Sequence, residues 1–206
     1  FFEAMSVISL FLVLIYLVLQ MALKLNSIGF FVFPLVFAFQ TISTFGPRVM
    51  YLGEEFVRSP LFWFHTLSTL AGYAAFGYSM ILGIMHLRLF RELKTKKLKK
   101  MYDRLPPLDL LEKMNSVALI GGFVFLTVGI ILGSALAITA WGNLPLSDPK
   151  VLFAVLLWVL YVFGLIAQRV FRWGGKRMSY LSVVGFLVLI VAMLAVRLIE
   201  NTFHQF

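Results

Sequence analysis

Six apolar runs, each close to the length of a bilayer crossing, dominate the chain: about Ala4 to Leu23, Ile28 to Phe45, Leu61 to Leu89, Asn115 to Ala140, Val151 to Phe171 and Met178 to Ile199. A helix rising about 1.5 Å per residue needs roughly twenty residues to cross some 30 Å of hydrocarbon. Within lipid the backbone of a lone segment can satisfy its own polar groups only as a helix. The runs therefore predict an all-α, polytopic transmembrane bundle of six helices, a single integral membrane domain over residues 1–206. Composition agrees, because 61% hydrophobic and 13% charged residues leave more apolar surface than a water-soluble core can bury. Cysteine is absent, which excludes disulfides, thioether attachment of a cofactor and Cys-ligated zinc or iron–sulfur centres.

The connections set the orientation. Lys24-Leu-Asn-Ser27 is a tight turn that makes the first two helices antiparallel, and Gly46-Pro47 closes the second. Residues 46–60 mix Met50, Leu52 and Phe56 with Glu54, Glu55 and Arg58, and read as an external amphipathic loop at the interface. Taking alternate connections as one side, the Lys24 turn, Arg88 to Lys113 and Arg169 to Arg177 hold fourteen of the eighteen Lys and Arg. Basic residues are retained in the cytoplasm, so residues 91–113 form a basic cytoplasmic loop and both ends of the chain lie outside, in a cytoplasmic membrane of bacterial type. The net charge of +9 then needs no nucleic-acid partner. Arg91 to Lys100 reads as a topology anchor resting on anionic membrane lipid.

Topology also sorts the three histidines. His65 stands one turn into the third helix and His86 follows 21 residues later, about 31 Å along the axis and on the opposite face of the membrane. His204 follows the last helix and returns to the side of His65. Two external imidazoles from distant parts of the chain can serve as the axial ligands of one haem. The alternative is an interfacial His65 with a solvated His204, and spacing does not choose between them. His86, beside Arg88, reads as a polar residue meeting the cytoplasmic interface.

The external segment Trp141-Gly-Asn-Leu-Pro-Leu-Ser-Asp148-Pro149-Lys150 bears on that choice. It resembles the haem-handling loop of the cytochrome c assembly protein family, the group containing CcsA, CcmC and HemX-like membrane proteins. That loop typically runs Trp-Gly-x-x-Trp-x-Trp-Asp-Pro-Lys and is matched here without a gap at Trp141, Gly142, Asp148, Pro149 and Lys150. His65 with Ala71-Gly-Tyr-Ala-Ala-Phe76 is similar to the family's external histidine and Gly-Tyr-Ala signature. Leu105-Pro-Pro-Leu108 and Gly121-Gly-Phe123 resemble its next helix, and Arg177, Tyr180 and Gly185-Phe186 its last. Thr202-Phe-His204-Gln-Phe206 occupies the place of the family's histidine-bearing tail. Phe2-Glu3, Ile15-Tyr16 and Gly29 to Pro34 resemble inner helices of HemX-like members, which implies two further spans and eight in the complete protein.

The resemblance implies a non-enzymatic haem-handling factor, holding or presenting haem b at the external face. His65 and His204 would be the iron ligands, with Trp141, Gly142 and Asp148 shaping the rim of residues 141–150. The implied partners are a ResB-type membrane protein and apocytochrome c. Two departures matter. Pro145 and Ser147 stand where the family has tryptophans, and Ile166-Ala-Gln168-Arg169 lacks the intramembrane histidine of members that carry haem through the bilayer. The altered loop keeps open a second class of function: a structural or anchoring subunit of a larger membrane complex, with the fold retained and the haem chemistry lost. Ser/His/Asp arrangements, phosphate-cradling Gly loops and intramembrane carboxylate pairs are missing from the sequence, and the broken helices of a small-solute transporter are not seen.

Overall fold

A computed structural model describes residues 2–46, 59–96, 105–144, 146 and 148–203. It contains α1 (Phe2–Leu23), a short 3₁₀ turn (Asn26–Ile28), α2 (Gly29–Phe45), α3 (Pro60–Thr95), α4 (Leu108–Trp141), α5 (Pro149–Val170) and α6 (Gly175–Phe203). All six are long and apolar enough to cross a membrane, so the chain is a multi-pass membrane protein. Each expected span is present, but α3 and α4 run further than their apolar stretches. The basic stretch 91–113 is helical at both ends, through Thr95 and again from Leu108. Polar residues there carry helix past the lipid, because the helix backbone satisfies itself whether or not the side chains face water. Most of the stretch 46–60 lies outside the described residues.

Alternation of the helices gathers the Lys24 turn, the α3–α4 connection and the α5–α6 connection at one end of the bundle, here the basic end. Among the described residues, the non-glycine positions with positive φ are Lys24 (54°), Lys96 (52°) and Arg172 (50°). Each follows a helix that ends at the basic end. A left-handed residue stops a helix by turning its last amides back on the preceding carbonyls, and Lys24 N–H does this with Gln20 O at 2.8 Å. A cation there also faces the negative end of the helix dipole.

The central element is α3. In its most apolar window 72% of residues are buried, against 22% in each of the other five helices, so α3 is the post around which the others stand. It meets α4 along a stripe of small residues. A methyl on Gly72 would lie 3.1 Å from Gly122 O and 3.1 Å from Leu126 N, so the two backbones are in direct contact, as small residues permit in membranes. Phe76 stacks on Tyr161 with centroids 3.7 Å apart and brings α5 against the same post. The outer faces of α1, α2 and α5 carry exposed Leu, Phe and Val, as lipid contact allows.

Candidate functional site

At the end opposite the basic connections, α3, α4 and α5 splay around a cavity of about 290 Å³. His65, Thr69 and Tyr73 line it from α3, Ile130 and Gly133 from α4, and Asp148, Val151 and Ala154 from the entry to α5. The walls are mostly aliphatic. His65 occupies its place for two reasons. Gly133 leaves room for the ring, since a methyl there would fall 2.6 Å from Cε1 and 2.8 Å from Nδ1. The ring then lies 2.8 Å from the Gly129 carbonyl through Nδ1. A carbonyl only accepts, so Nδ1 carries the proton and donates it, and Nε2 keeps the lone pair. Thr69 Oγ1 in turn bonds to His65 O at 2.9 Å. Nothing in the residue order from His65 to Gly133 announces this contact.

A second cavity of about 340 Å³ shares Tyr73, Lys150 and Ala154 with the first and reaches α6 at Met193, Val196 and Arg197. The two together lead from His65 toward the last turns of α6. His204 lies outside the described residues. Arg197 holds the ring of Phe2 at 4.4 Å, tying α6 to the start of α1.

Gly142 adopts φ 73° and its N–H reaches Ile138 O at 2.9 Å, ending α4. A side chain would be strained there, so this glycine lets the chain turn back toward α5. Asp148 is the N-cap of α5, accepting from Lys150 N–H at 2.7 Å with Pro149 in the first turn. It also lines the first cavity. Trp141 is the last residue of α4; its indole, like Pro145 and Ser147, lies outside the described part.

The other histidine differs from the sequence reading. His86 is 4% exposed and lies inside the bundle rather than at an interface. The reason is α6, which covers it: His86 Nδ1 is 3.0 Å from Ser179 Oγ, whose own proton goes to Gly175 O at 2.7 Å. Close by, Asn115 Oδ1 accepts from Ser79 at 2.6 Å and from Ser182 at 2.9 Å. This polar seam joins α3, α4 and α6, and the sequence reading missed it. Its only trace is Ser179 and Ser182 spaced one turn apart in a polar-poor helix. Gln168 donates to Ser116 Oγ at 2.7 Å and links α5 to α4.

Fold and site together define a class: a multi-pass helical membrane protein with an imidazole set over an apolar cavity at one end of the bundle. Within that class the profile of the Cytochrome C assembly protein family matches residues 1–204, and the chain belongs to that family. It is 31% identical to the cytochrome c biogenesis protein CcsA of Chlamydomonas reinhardtii over 95% of this chain and 56% of that protein. It is 33% identical to CcsA of Prochlorococcus marinus (strain NATL1A) over 47% of this chain and 30% of that protein. CcsA of Heterosigma akashiwo (strain NIES-293 / 8280G21-1) is 24% identical over the whole chain and 74% of its own length. The chain thus spans only part of the curated relatives it matches. No solved structure matches it.

Proposed function

We propose that the chain handles haem b in cytochrome c assembly, seating it at the end opposite the basic connections with His65 Nε2 and His204 as axial ligands. The observation that carries this reading is the His65–Gly129 hydrogen bond. An imidazole that ligates a metal through one nitrogen usually donates the other N–H to a carbonyl or carboxylate, which fixes tautomer and orientation. His65 makes that donation from Nδ1, beside a cavity with aliphatic walls suited to a porphyrin face. Lys150 and Arg197 line the adjoining space and match propionate charge. Trp141, Gly142 and Asp148 form the rim. Haem is cargo in this reading, and the chain's part is to bind and orient it.

The basic end faces the cytoplasm by the retention of Lys and Arg, which puts the haem on the external side of a bacterial-type membrane and offers it to apocytochrome c, with a ResB-type partner. Gln168 is engaged with Ser116, and the proposal holds one haem site, not a second within the bilayer.

The test is the absorbance spectrum of the protein as isolated from haem-replete cells. A bis-imidazole haem spectrum that collapses in His65→Ala and in His204→Ala supports the proposal. Colourless wild-type protein overturns it and favours the anchoring subunit suggested by Pro145 and Ser147.

A further inference from the structure

At the basic end, α3 and α6 leave between them a groove of about 400 Å³ on the membrane-facing side of the bundle. Arg88, Arg91 and Lys94 enter it from α3, and Lys176 enters it from the first turn of α6. Along α3 the spacing of three residues puts these cations on one face, next to each other. Lys176 is set against the Phe90 ring at 5.6 Å, which orients its ammonium over the groove. One turn deeper the lining becomes apolar: Ile84 and Leu87 on α3 face Val183 on α6, with Tyr180 at the boundary. Both helices therefore change from aliphatic to cationic toward the basic end, with Tyr180 at the change on α6 and Phe90 among the cations of α3.

That change matches a phospholipid in its leaflet, with acyl chain against the apolar part and phosphate against the cations. Among the described residues, no carboxylate lies on the groove lining to neutralise the four cations. Four like charges held together raise one another's energy, and a bound anion relieves them. Free phosphate would satisfy the charges but leave Ile84, Leu87 and Val183 without a partner. A headgroup with two phosphodiesters matches four cations better than one with a single phosphate.

We infer that the α3–α6 groove is a specific binding site for an anionic phospholipid of the leaflet at the basic end, with a diphosphatidylglycerol-type headgroup on Arg88, Arg91, Lys94 and Lys176. The inference is independent of haem and of the histidines. Its effect is to clamp the basic end of α6 to α3 through a shared lipid.

The test uses the full chain in phosphatidylcholine nanodiscs doped with diphosphatidylglycerol, with bound lipid counted by native mass spectrometry. Wild type retains the doped lipid. Arg91→Gln/Lys176→Gln weakens retention by about thirtyfold, the value expected for two basic residues removed at an anionic surface. Lys113→Gln/Arg169→Gln removes equal charge from the same end of the bundle, at exposed positions that do not line the groove, and stays near wild type. Arg91→Lys/Lys176→Arg keeps the charge and keeps the lipid, which separates a binding defect from misfolding. Equal losses in both glutamine pairs would reduce the groove to diffuse surface attraction and overturn the inference. Release of the lipid by millimolar inorganic pyrophosphate would overturn it too, because the site would then read phosphate alone.

Discussion

His65 and His86 stand on one helix and share a chemistry, yet their surroundings give them opposite roles. His65 donates Nδ1–H to the Gly129 carbonyl and keeps Nε2 at the edge of a cavity. His86 is enclosed and hydrogen-bonded to Ser179, so it serves the packing of α6. Gly133 is the residue on which the first arrangement turns, since any side chain there meets the imidazole. Gly133→Ala is expected to leave the fold intact and reduce haem retention by about 10- to 100-fold, the usual cost of disturbing a ligand's supporting contacts. Haem content measured by absorbance in purified variant checks this, and wild-type retention would detach His65 from the iron. Asn115→Ala removes the shared acceptor of Ser79 and Ser182. Interhelical hydrogen bonds within membranes are each worth about 0.6 kcal/mol on average. A loss of about 1 kcal/mol is therefore expected in the unfolding free energy in detergent, with haem content unchanged.

The helices carry their own tests. Gly72 and Gly121 both interrupt apolar helices, but a methyl on Gly72 strikes the backbone of α4 at Gly122 and Leu126, whereas one on Gly121 meets nothing within 4 Å. Gly72→Ala is expected to destabilise by about 1–3 kcal/mol, the range for overpacking against atoms that cannot move aside. Gly121→Ala should be neutral or stabilising by up to about 1 kcal/mol, from helix propensity alone. Thermal denaturation of the two variants side by side discriminates them. The basic left-handed residues Lys24, Lys96 and Arg172 show the same economy in the connections: one residue ends the helix, faces its dipole and helps to retain the loop on its side of the membrane. Replacing Lys96 by Gly removes the steric cost of that conformation, about 1 kcal/mol. Screening by about 1 M salt removes most of the dipole contribution that the lysine supplied. Lys96→Gly is thus expected to be more stable than wild type at high salt, as measured by its melting temperature.

Taken as a whole, the bundle is polarised, with cations and the lipid groove at one end and the imidazole-lined cavity at the other. The chain contains no cysteine, so single substitutions report sidedness without background. Arg172→Cys should react with an impermeant maleimide only from the cytoplasmic side and Leu146→Cys only from outside; the reverse pattern would invert the proposed orientation. The number of spans, their order and the polarity of the loops were legible in the sequence, because burial in lipid and charge retention act on each segment separately and leave local patterns. The start of α5 at Asp148-Pro149 was legible as well, since an N-cap carboxylate followed by proline is a local signal. The centrality of α3, the seating of His65 on Gly133 and Gly129, and the enclosure of His86 by α6 were decided only by tertiary structure. Each depends on which faces of uniformly apolar helices meet one another, and an apolar surface that suits lipid and neighbour alike carries no sign of its partner until the helices pack.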